Sequence, residues 1–468
     1  MDSRKIALFA GPLGFLLTLL VAAPGGMPPL AWTTAGLVWW MAVWWMTEAM
    51  PLSATALLPF IVLPLTGVAD ANKTASSYYS PTMFLFIGGA FLALAIERTG
   101  LHRRLALAML SRAGGSAWKL LLAVMTATAL ISTMISNTST ALIMMPMALA
   151  ILASGGVSEG ETNGMAGALP MGVAFAATLG GFGTIVGTPT NAIAVALLDK
   201  TLGVKISFLE WSMFGLPIVL IGIPLTAWII GKVHDLRHDS FDPAAARRAI
   251  EHSVAWTVPE RRLVPVFILA VLAWVTLPLT ETLFPKGGLT DGTIAAIAGL
   301  SLFFLPDGTG RPMLVWKEAN RAPWDVVLMF GGGLSLAMGM SDSGLAGWLG
   351  QEMLPLAAVP LPVVALVLVG FVILVTEFAS NIAAASGVMP VVAALCAALG
   401  ADPLLLALPA AFAASWGFML PAGTGPNAIA WGTGHIAMPK VLRAGLLLDL
   451  AGALLIVSVV WTIVGAIY

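Results

Sequence analysis

Two Ser-Asn pairs stand inside otherwise apolar stretches of the chain. The first is Ser136-Asn137, followed by Thr138, and the second is Ser380-Asn381. Ser and Thr hydroxyls and Asn carbonyl oxygens can ligate a cation such as Na⁺, and the Asn amide can donate to a carboxylate. A helix that begins at such a pair also directs free N–H groups towards it, which favours a bound anion. The pairs therefore predict a site for an anion and cations that needs no buried Lys or Arg.

The two pairs belong to a longer internal repeat. A proline follows each pair at the same spacing, and the offset between the halves is 244 residues at both features. A Gly-Thr-x-x-Asn segment recurs at 187–191 and 423–427, where the offset is 236 residues. Gly and Pro in these segments break a helix and free backbone carbonyls for a cation. Isolated polar residues often only stabilise helix packing, but matched segments in both halves favour a functional site.

The composition requires a membrane around these segments. The 468 residues are 59% hydrophobic and 10% charged, with a mean hydropathy of +0.95, whereas soluble chains carry about a quarter charged residues. A single cysteine, Cys396, excludes a disulfide framework and a thiolate metal cluster. The net charge of −1 identifies no partner, and we expect contact with membrane lipid but not with nucleic acid.

Helical spans of about 20 apolar residues are needed to cross a bilayer. Two stretches, 118–153 and 359–398, carry the Ser-Asn pairs at their middle and are predicted to be re-entrant hairpins. We therefore predict an all-α polytopic membrane protein with about 11 transmembrane helices plus two re-entrant helical hairpins. The candidate spans centre on 6–24, 30–47, 52–67, 81–98, 166–198, 211–230, 263–282, 291–306, 324–341, 403–433 and 442–466.

The distribution of Lys and Arg orients these spans. With a cytoplasmic N-terminus and hairpins that enter and leave on one side, eighteen Lys and Arg residues fall in cytoplasmic segments and four fall outside. This asymmetry agrees with the positive-inside rule, and counting either hairpin as one crossing would reverse every later loop. Five spans then separate the starts of the two units, so the units are predicted to be inverted repeats. Inverted repeats with interrupted helices are typical of secondary transporters.

The predicted organisation has four parts. They are an N-terminal segment with the first span (1–29), a first inverted repeat (30–231), a cytoplasmic linker (232–262) and a second inverted repeat (263–468). In the linker, His234 and His238 lie four residues apart, and a solvated linker is preferred there over a metal site.

Acidic residues near membrane depth are candidates for function. Glu48 and Glu377 are two of them, and each is compatible with proton relay, an interfacial position or a helix cap. An intramembrane enzyme would need His, Asp or Cys clustered inside the spans. The sequence offers no such cluster, so we predict no catalytic residue and do not expect an enzyme.

These features resemble the divalent anion:sodium symporter (DASS) family, the di- and tricarboxylate transporters. The resemblance covers nearly the whole chain and rests on the Ser-Asn tips, on Trp-x-x-Glu-Ala-x-Pro-Leu at 45–52, and on Ser415-x-x-Phe418-x-x-Pro421 before Asn427. It implies a homodimer in a bacterial inner membrane, in which a transport domain moves against a scaffold domain as an elevator. The transport domain would comprise both hairpins and the segments 166–230 and 403–466.

The resemblance also implies ligands for two or more Na⁺ ions and for a C4-dicarboxylate (succinate, malate or fumarate) carried by symport. One sodium site would use Ser132, Ser136, Asn137 and the carbonyl of Gly187. The other would use Thr376, Ser380, Asn381 and the carbonyl of Gly423. The substrate carboxylates would be held by Asn137, Thr138, Ser380, Asn381 and Thr424.

Two positions depart from the family pattern. Ile382 lacks the hydroxyl that many bacterial members carry after the second Ser-Asn pair, and Gly425 stands where the family usually has proline. Either departure can change how one carboxylate is held. Sodium-independent dicarboxylate exchange and Na⁺-coupled citrate or sulfate transport therefore remain alternatives.

Overall fold

The structure of the protein is a computed structural model that describes residues 3–110, 116–237, 255–421 and 423–467. Within these ranges the chain forms 22 α-helices and no β-strand. The helices are Ser3–Leu20 (α1), Pro29–Thr47 (α2), Leu52–Thr55 (α3), Leu58–Leu65 (α4), Ala71–Ser76 (α5), Pro81–Thr99 (α6), Leu101–Leu110 (α7), Ala117–Ser132 (α8), Asn137–Ser154 (α9), Gly164–Gly180 (α10), Pro189–Leu202 (α11), Phe208–Val233 (α12), Val258–Thr280 (α13), Asp291–Ser301 (α14), Trp316–Ala319 (α15), Trp324–Asp342 (α16), Leu345–Met353 (α17), Leu361–Phe378 (α18), Asn381–Leu399 (α19), Pro403–Ala413 (α20), Gly425–Gly432 (α21) and Met438–Ile467 (α22).

Long apolar helices dominate this list and confirm a polytopic helical membrane protein. In the described part of the chain, nine segments are long and apolar enough to cross a bilayer. They are Ala71–Thr99, Asn137–Ser154, Gly164–Gly183, Phe208–Val233, Val258–Leu283, Trp324–Asp342, Leu361–Phe378, Asn381–Leu399 and Met438–Ile467.

Several predicted spans differ from the helices observed. The stretch 52–67 forms two short helices, α3 and α4, and Pro59 stands in the first turn of the second. Proline lacks an N–H group and disfavours a helical residue before it, so an α-helix cannot run through this point undisturbed. The helix predicted at 291–306 ends at Ser301 and continues as turns.

Each predicted hairpin is a pair of helices joined by a short turn. α8 ends at Ser132, and Ser136 caps α9 by accepting a hydrogen bond from the Ser139 N–H at 3.3 Å. In the second hairpin, Ser380 caps α19 by accepting from the Ala383 N–H at 3.2 Å. The serine of each pair therefore satisfies a free N–H group at the helix start, and the asparagine is the first helical residue.

The segments 166–198 and 403–433 are interrupted helices, as the Gly and Pro residues predict. α10 and α11 are separated by two 3₁₀ turns, Gly181–Gly183 and Ile185–Gly187. α20 and α21 are separated by a non-helical segment that begins after Ala413. Backbone that leaves helical geometry at membrane depth must be buried in protein or line a cavity.

Both hairpins and both interrupted helices pack into one body. The first hairpin packs on α10, and the second packs on α20 and α22. α12 and α22 pack on each other and connect the two groups. The resemblance assigns these segments to a transport domain, and that assignment stays a prediction.

The predicted linker at 232–262 is described only at its two ends. α12 ends at Val233 and α13 begins at Val258, whereas His238 lies outside the described residues. His234 follows directly after α12 and is buried. Its burial argues against a fully solvated linker at this end.

Candidate functional site

Three oxygen atoms meet behind each hairpin tip. In the first half, the Ser132 hydroxyl lies 3.0 Å from Asn137 Oδ1 and 2.6 Å from the Ala177 carbonyl oxygen. In the second half, the Thr376 hydroxyl lies 2.7 Å from Asn381 Oδ1 and 2.8 Å from a backbone carbonyl oxygen of the same kind. The two halves thus build the same cluster of a hydroxyl, an amide oxygen and a backbone oxygen.

The asparagines of the Gly-Thr-x-x-Asn segments hold the interrupted backbone in place. Asn191 Nδ2 donates to the carbonyl oxygens of Gly181 and Thr184, at 2.8 and 2.9 Å. Asn427 Nδ2 donates to the Leu420 carbonyl oxygen at 3.2 Å. Carbonyls without helical partners are otherwise costly to bury, so these side chains fix the shape of each non-helical segment.

Glu377 holds the second non-helical segment from the opposite side. Its carboxylate is buried and accepts hydrogen bonds from the backbone N–H groups of Phe418, Met419 and Leu420. The buried Glu377 side chain therefore does not lie at an interface; it stabilises the non-helical segment that precedes α21, and its role in proton relay stays a prediction. The corresponding position in the first half is Thr133, 244 residues earlier, so the carboxylate belongs to the second half alone.

A cavity of about 450 Å³ lies between the two tips and the two interrupted helices. Four helices begin at its wall, since its lining includes the first residues of α9, α11, α19 and α21. Each helix start carries unpaired N–H groups and a partial positive charge. Four such ends around one cavity give it a positive electrostatic potential.

One ion pair completes the lining of the cavity. Arg321 and Glu97 both line it, and the Arg321 guanidinium lies 2.6 Å from a Glu97 carboxylate oxygen. Among the described residues that line the cavity, Arg321 is the one Lys or Arg. The two residues are 224 positions apart in the chain, so their pairing could not be predicted from the sequence.

The two departures from the family pattern lie at the cavity wall. Ile382 lines the cavity and packs partly against the hydrophobic core. Gly425 faces Thr138 so closely that a Cβ atom at position 425 would overlap the Thr138 hydroxyl. Glycine at this position therefore leaves room for the threonine of the opposite tip.

The structure brings most of the predicted site residues together. All five predicted substrate ligands, Asn137, Thr138, Ser380, Asn381 and Thr424, line the cavity. Of the predicted cation ligands, Ser136 and Gly423 also line it, while Ser132 and Thr376 lie behind the asparagines that they contact. Gly187 packs on the Gly181 carbonyl, where a Cβ atom would lie 2.6 Å from the carbonyl oxygen.

Glu48 lies apart from this site. It ends α2 in a left-handed conformation, its side chain is 56% exposed, and it lies 3.9 Å from the Arg4 guanidinium. The geometry identifies Glu48 as a helix-terminal residue that contacts the start of the chain.

The family model described as the sodium:sulfate symporter transmembrane region matches residues 4–467. The chain belongs to the sodium:sulfate symporter family. The family is one of transporters, so the resemblance to divalent anion:sodium symporters is confirmed and the protein is a transporter, not an enzyme.

Relatives within the sodium:sulfate symporter family agree over almost the full chain. The sodium-dependent dicarboxylate transporter SdcS of Staphylococcus saprophyticus is 36% identical over 478 residues, which cover 98% of this chain and 91% of that protein. SdcS of Staphylococcus aureus strain USA300 is 37% identical over 475 residues, with the same coverage of both chains. SdcS of strain MRSA252 is 37% identical over 477 residues.

Proposed function

We propose that the protein is a Na⁺-coupled symporter of a C4-dicarboxylate such as succinate, malate or fumarate. The oxygen clusters behind the two hairpin tips carry this proposal. A hydroxyl has one proton, so Ser132 can donate to only one of its two oxygen neighbours, and Thr376 faces the same shortage. A cation among these oxygens would relieve the remaining contact between lone pairs.

Two sodium sites follow from the two clusters. The first would use Ser132, Ser136, Asn137 and the Gly187 carbonyl, and the second Thr376, Ser380, Asn381 and the Gly423 carbonyl. All these ligands are neutral oxygens, which suit a hard cation such as Na⁺. Two Na⁺ ions would balance the charge of a dicarboxylate dianion between them.

The dicarboxylate would occupy the cavity between the sodium sites. Asn137, Thr138, Ser380, Asn381 and Thr424 supply amide and hydroxyl donors, and the four helix starts supply N–H groups and positive potential. Bound Na⁺ raises that potential, and a bound anion stabilises Na⁺ in return. This mutual stabilisation is a coupling free energy between the sites, and it acts in both directions.

Movement of the packed body that holds both hairpins would carry the site across the membrane. We propose that 30–231 and 263–468 are inverted repeats, that the hairpins at 118–153 and 359–398 are re-entrant, and that a homodimeric scaffold supports an elevator motion. With the N-terminus in the cytoplasm of a bacterial inner membrane, the segments that carry Glu97 and Arg321 are cytoplasmic. The cavity would then open to the cytoplasm.

Uptake into proteoliposomes tests the transported ion and anion. We expect labelled succinate to accumulate only with an inward Na⁺ gradient, and unlabelled malate and fumarate to compete. Accumulation that ignores Na⁺ but depends on internal dicarboxylate would replace symport by exchange. Stronger competition by citrate or sulfate than by fumarate would replace the C4-dicarboxylate as substrate.

Substitution of the two tip asparagines tests the site. Asn137→Ala and Asn381→Ala should each abolish Na⁺-dependent succinate binding, because each removes a proposed ligand of both the cation and the anion. Asn72→Ala is the matched control, since Asn72 is exposed and lies outside the cavity lining. Wild-type binding in either tip variant would contradict the proposed ligand sets.

A further inference from the structure

The long helices α12 and α22 match each other at a constant offset along the chain. Gly215 and Gly445 are 230 residues apart, as are Gly222 and Gly452. Gly215 faces the Phe182 carbonyl in one half, and Gly445 faces the Phe418 carbonyl in the other. Gly215 and Gly445 therefore occupy equivalent places in the two halves, where each lets its helix approach the backbone of the interrupted helix.

At the same offset, the second half has another carboxylate that the first half lacks. Asp449 is 230 residues after Val219, just as Glu377 is 244 residues after Thr133. The first half thus has a valine and a threonine where the second half has two acids. The difference matters because other contacts of the two halves are matched, including the oxygen clusters behind the tips.

The two acids meet away from water. Asp449 lies near the middle of α22, is 7% exposed, and its carboxyl group lies against that of Glu377, which is 2% exposed. Within the described residues, neither Asp449 oxygen makes a hydrogen bond of normal geometry, although the Glu377 carboxyl group and the Phe418 backbone lie near it. Glu377, in contrast, accepts three backbone N–H bonds, which suit an ionised carboxylate.

Charged residues on the surrounding helices do not compensate the pair. The elements packed around it, α12, α18, α20 and α22, carry other charged residues only near their ends: Glu210, Lys232, Lys440 and Arg443. Arg443 is exposed and lies on a different face of α22 from the buried Asp449. A buried carboxylate without a partner is costly, and a second carboxylate beside it adds repulsion.

We propose that Asp449 and Glu377 form a third Na⁺ site, behind the tip of the second hairpin. Carboxylate oxygens are hard ligands that suit such a cation, and the unpartnered Asp449 oxygens would supply the free coordination. The Glu377 carbonyl lies beside Gly423, since a Cβ atom there would be 3.4 Å from it. The third ion would therefore sit next to the proposed second sodium site. This inference rests on the Na⁺ coupling proposed above and goes beyond its two sites.

The count of bound Na⁺ ions tests this site without any substrate. Equilibrium binding of radioactive Na⁺ to the purified wild type should saturate at three ions per protomer, and Asp449→Asn should saturate at two. Asparagine has the shape of a protonated aspartic acid and can donate to Glu377. A shared proton between the two acids would therefore leave the count unchanged. Glu352→Gln removes an exposed carboxylate and should keep three ions.

The Asp449→Glu variant is the control for loss of folding. It keeps the charge and should retain three ions with weaker affinity. A count that falls in the asparagine variant but not in the glutamate variant supports the site. Equal counts in the wild type and Asp449→Asn, or an equal loss in both variants, would overturn it. Because no anion is present, these outcomes are independent of whether succinate proves to be the substrate.

Membrane potential provides a second readout. Three Na⁺ ions with one succinate dianion carry a net positive charge, so an inside-negative potential should accelerate uptake by the wild type. Asp449→Asn would move two ions with the dianion and should lose most of this acceleration. Equal dependence on potential in both proteins would also overturn the third site.

Discussion

Gly425 and Thr138 join the two halves at the cavity, and their contact can be tested by a double substitution. Gly425 has no positive φ angle, so the backbone accepts alanine there. The added Cβ atom would overlap the Thr138 hydroxyl and lie 3.2 Å from Thr138 Cγ2. Threonine is branched at Cβ and has few rotamers with which to escape, so Gly425→Ala should displace the tip of the first hairpin.

The size of the effect follows from the cost of overpacking. Inserting a methyl group into a well-packed core costs about 1–3 kcal/mol. Because Thr138 and Gly425 are both exposed to the cavity, the cost should lie near the lower limit, which corresponds to a loss of about fivefold in affinity. Thr138→Ala removes both colliding atoms and also loses the proposed hydroxyl contact to substrate. The variant with both substitutions should therefore bind succinate no worse than Thr138→Ala alone, because the collision has been removed.

Na⁺-dependent succinate binding by the four proteins of this cycle gives the answer. Gly432→Ala is the matched control, because Gly432 lies on the same short helix and a Cβ atom there has no neighbour within 4 Å. Losses that simply add in the double variant would show that the two positions act independently. A Gly425→Ala protein that behaves like Gly432→Ala would refute the proposed contact.

Two further predictions concern charged groups away from the hairpin tips. Arg321→Ala should raise the KM for succinate by about three- to tenfold at low salt and less at high salt, because an exposed cation mainly attracts the anion. Arg321→Lys keeps the positive charge and should have a KM close to that of the wild type, and Arg443→Ala should have the wild-type KM. An unchanged KM in Arg321→Ala would contradict this role. Burial, with a contribution from Lys440, lowers the pKa of His234 from 6.5 to about 3. Below pH 6.5, His234 therefore binds a proton in the unfolded chain but stays neutral in the folded protein. The free energy of unfolding should fall by up to about 1.4 kcal/mol per pH unit as the pH decreases towards 3. His234→Gln should flatten this decline in the Tm of detergent-purified protein, whereas an unchanged slope would assign the decline to other groups.

The sequence predicted the parts of the site that are local in the chain. Ser136 and Ser380 stand out because polar residues interrupt apolar runs, and their place before a helix follows from the preference of serine for the capping position. The Gly and Pro residues of the Gly-Thr-x-x-Asn segments likewise predict broken helices. Each of these features depends on neighbours within a few residues, so one stretch of sequence contains the information.

Contacts between distant segments could not be predicted in this way. Arg321 meets Glu97 only because the fold brings α6 beside the turn before α16. Asp449 could have been identified as a candidate from the sequence. It is the one charged residue after Arg443 in a long apolar helix, and such residues are expected to be functional. Its partner Glu377 could not be inferred without the packing of α18 on α22.

The hydrogen bonds that Glu377 accepts are compatible with a cation beside it, because the N–H groups and the cation would use different lone pairs of one carboxylate. Its N–H partners fix Oε1 and Oε2 on the side of the second non-helical segment, while Asp449 approaches from α22. A cation coordinated by both acids would therefore connect α22 with the segment that contains Gly423, which supplies a ligand of the proposed second sodium site. The first half, with Val219 and Thr133, has no means of making that connection. If the third ion exists, occupancy of the second sodium site should depend on it more strongly than occupancy of the first, even though the two tips are built alike.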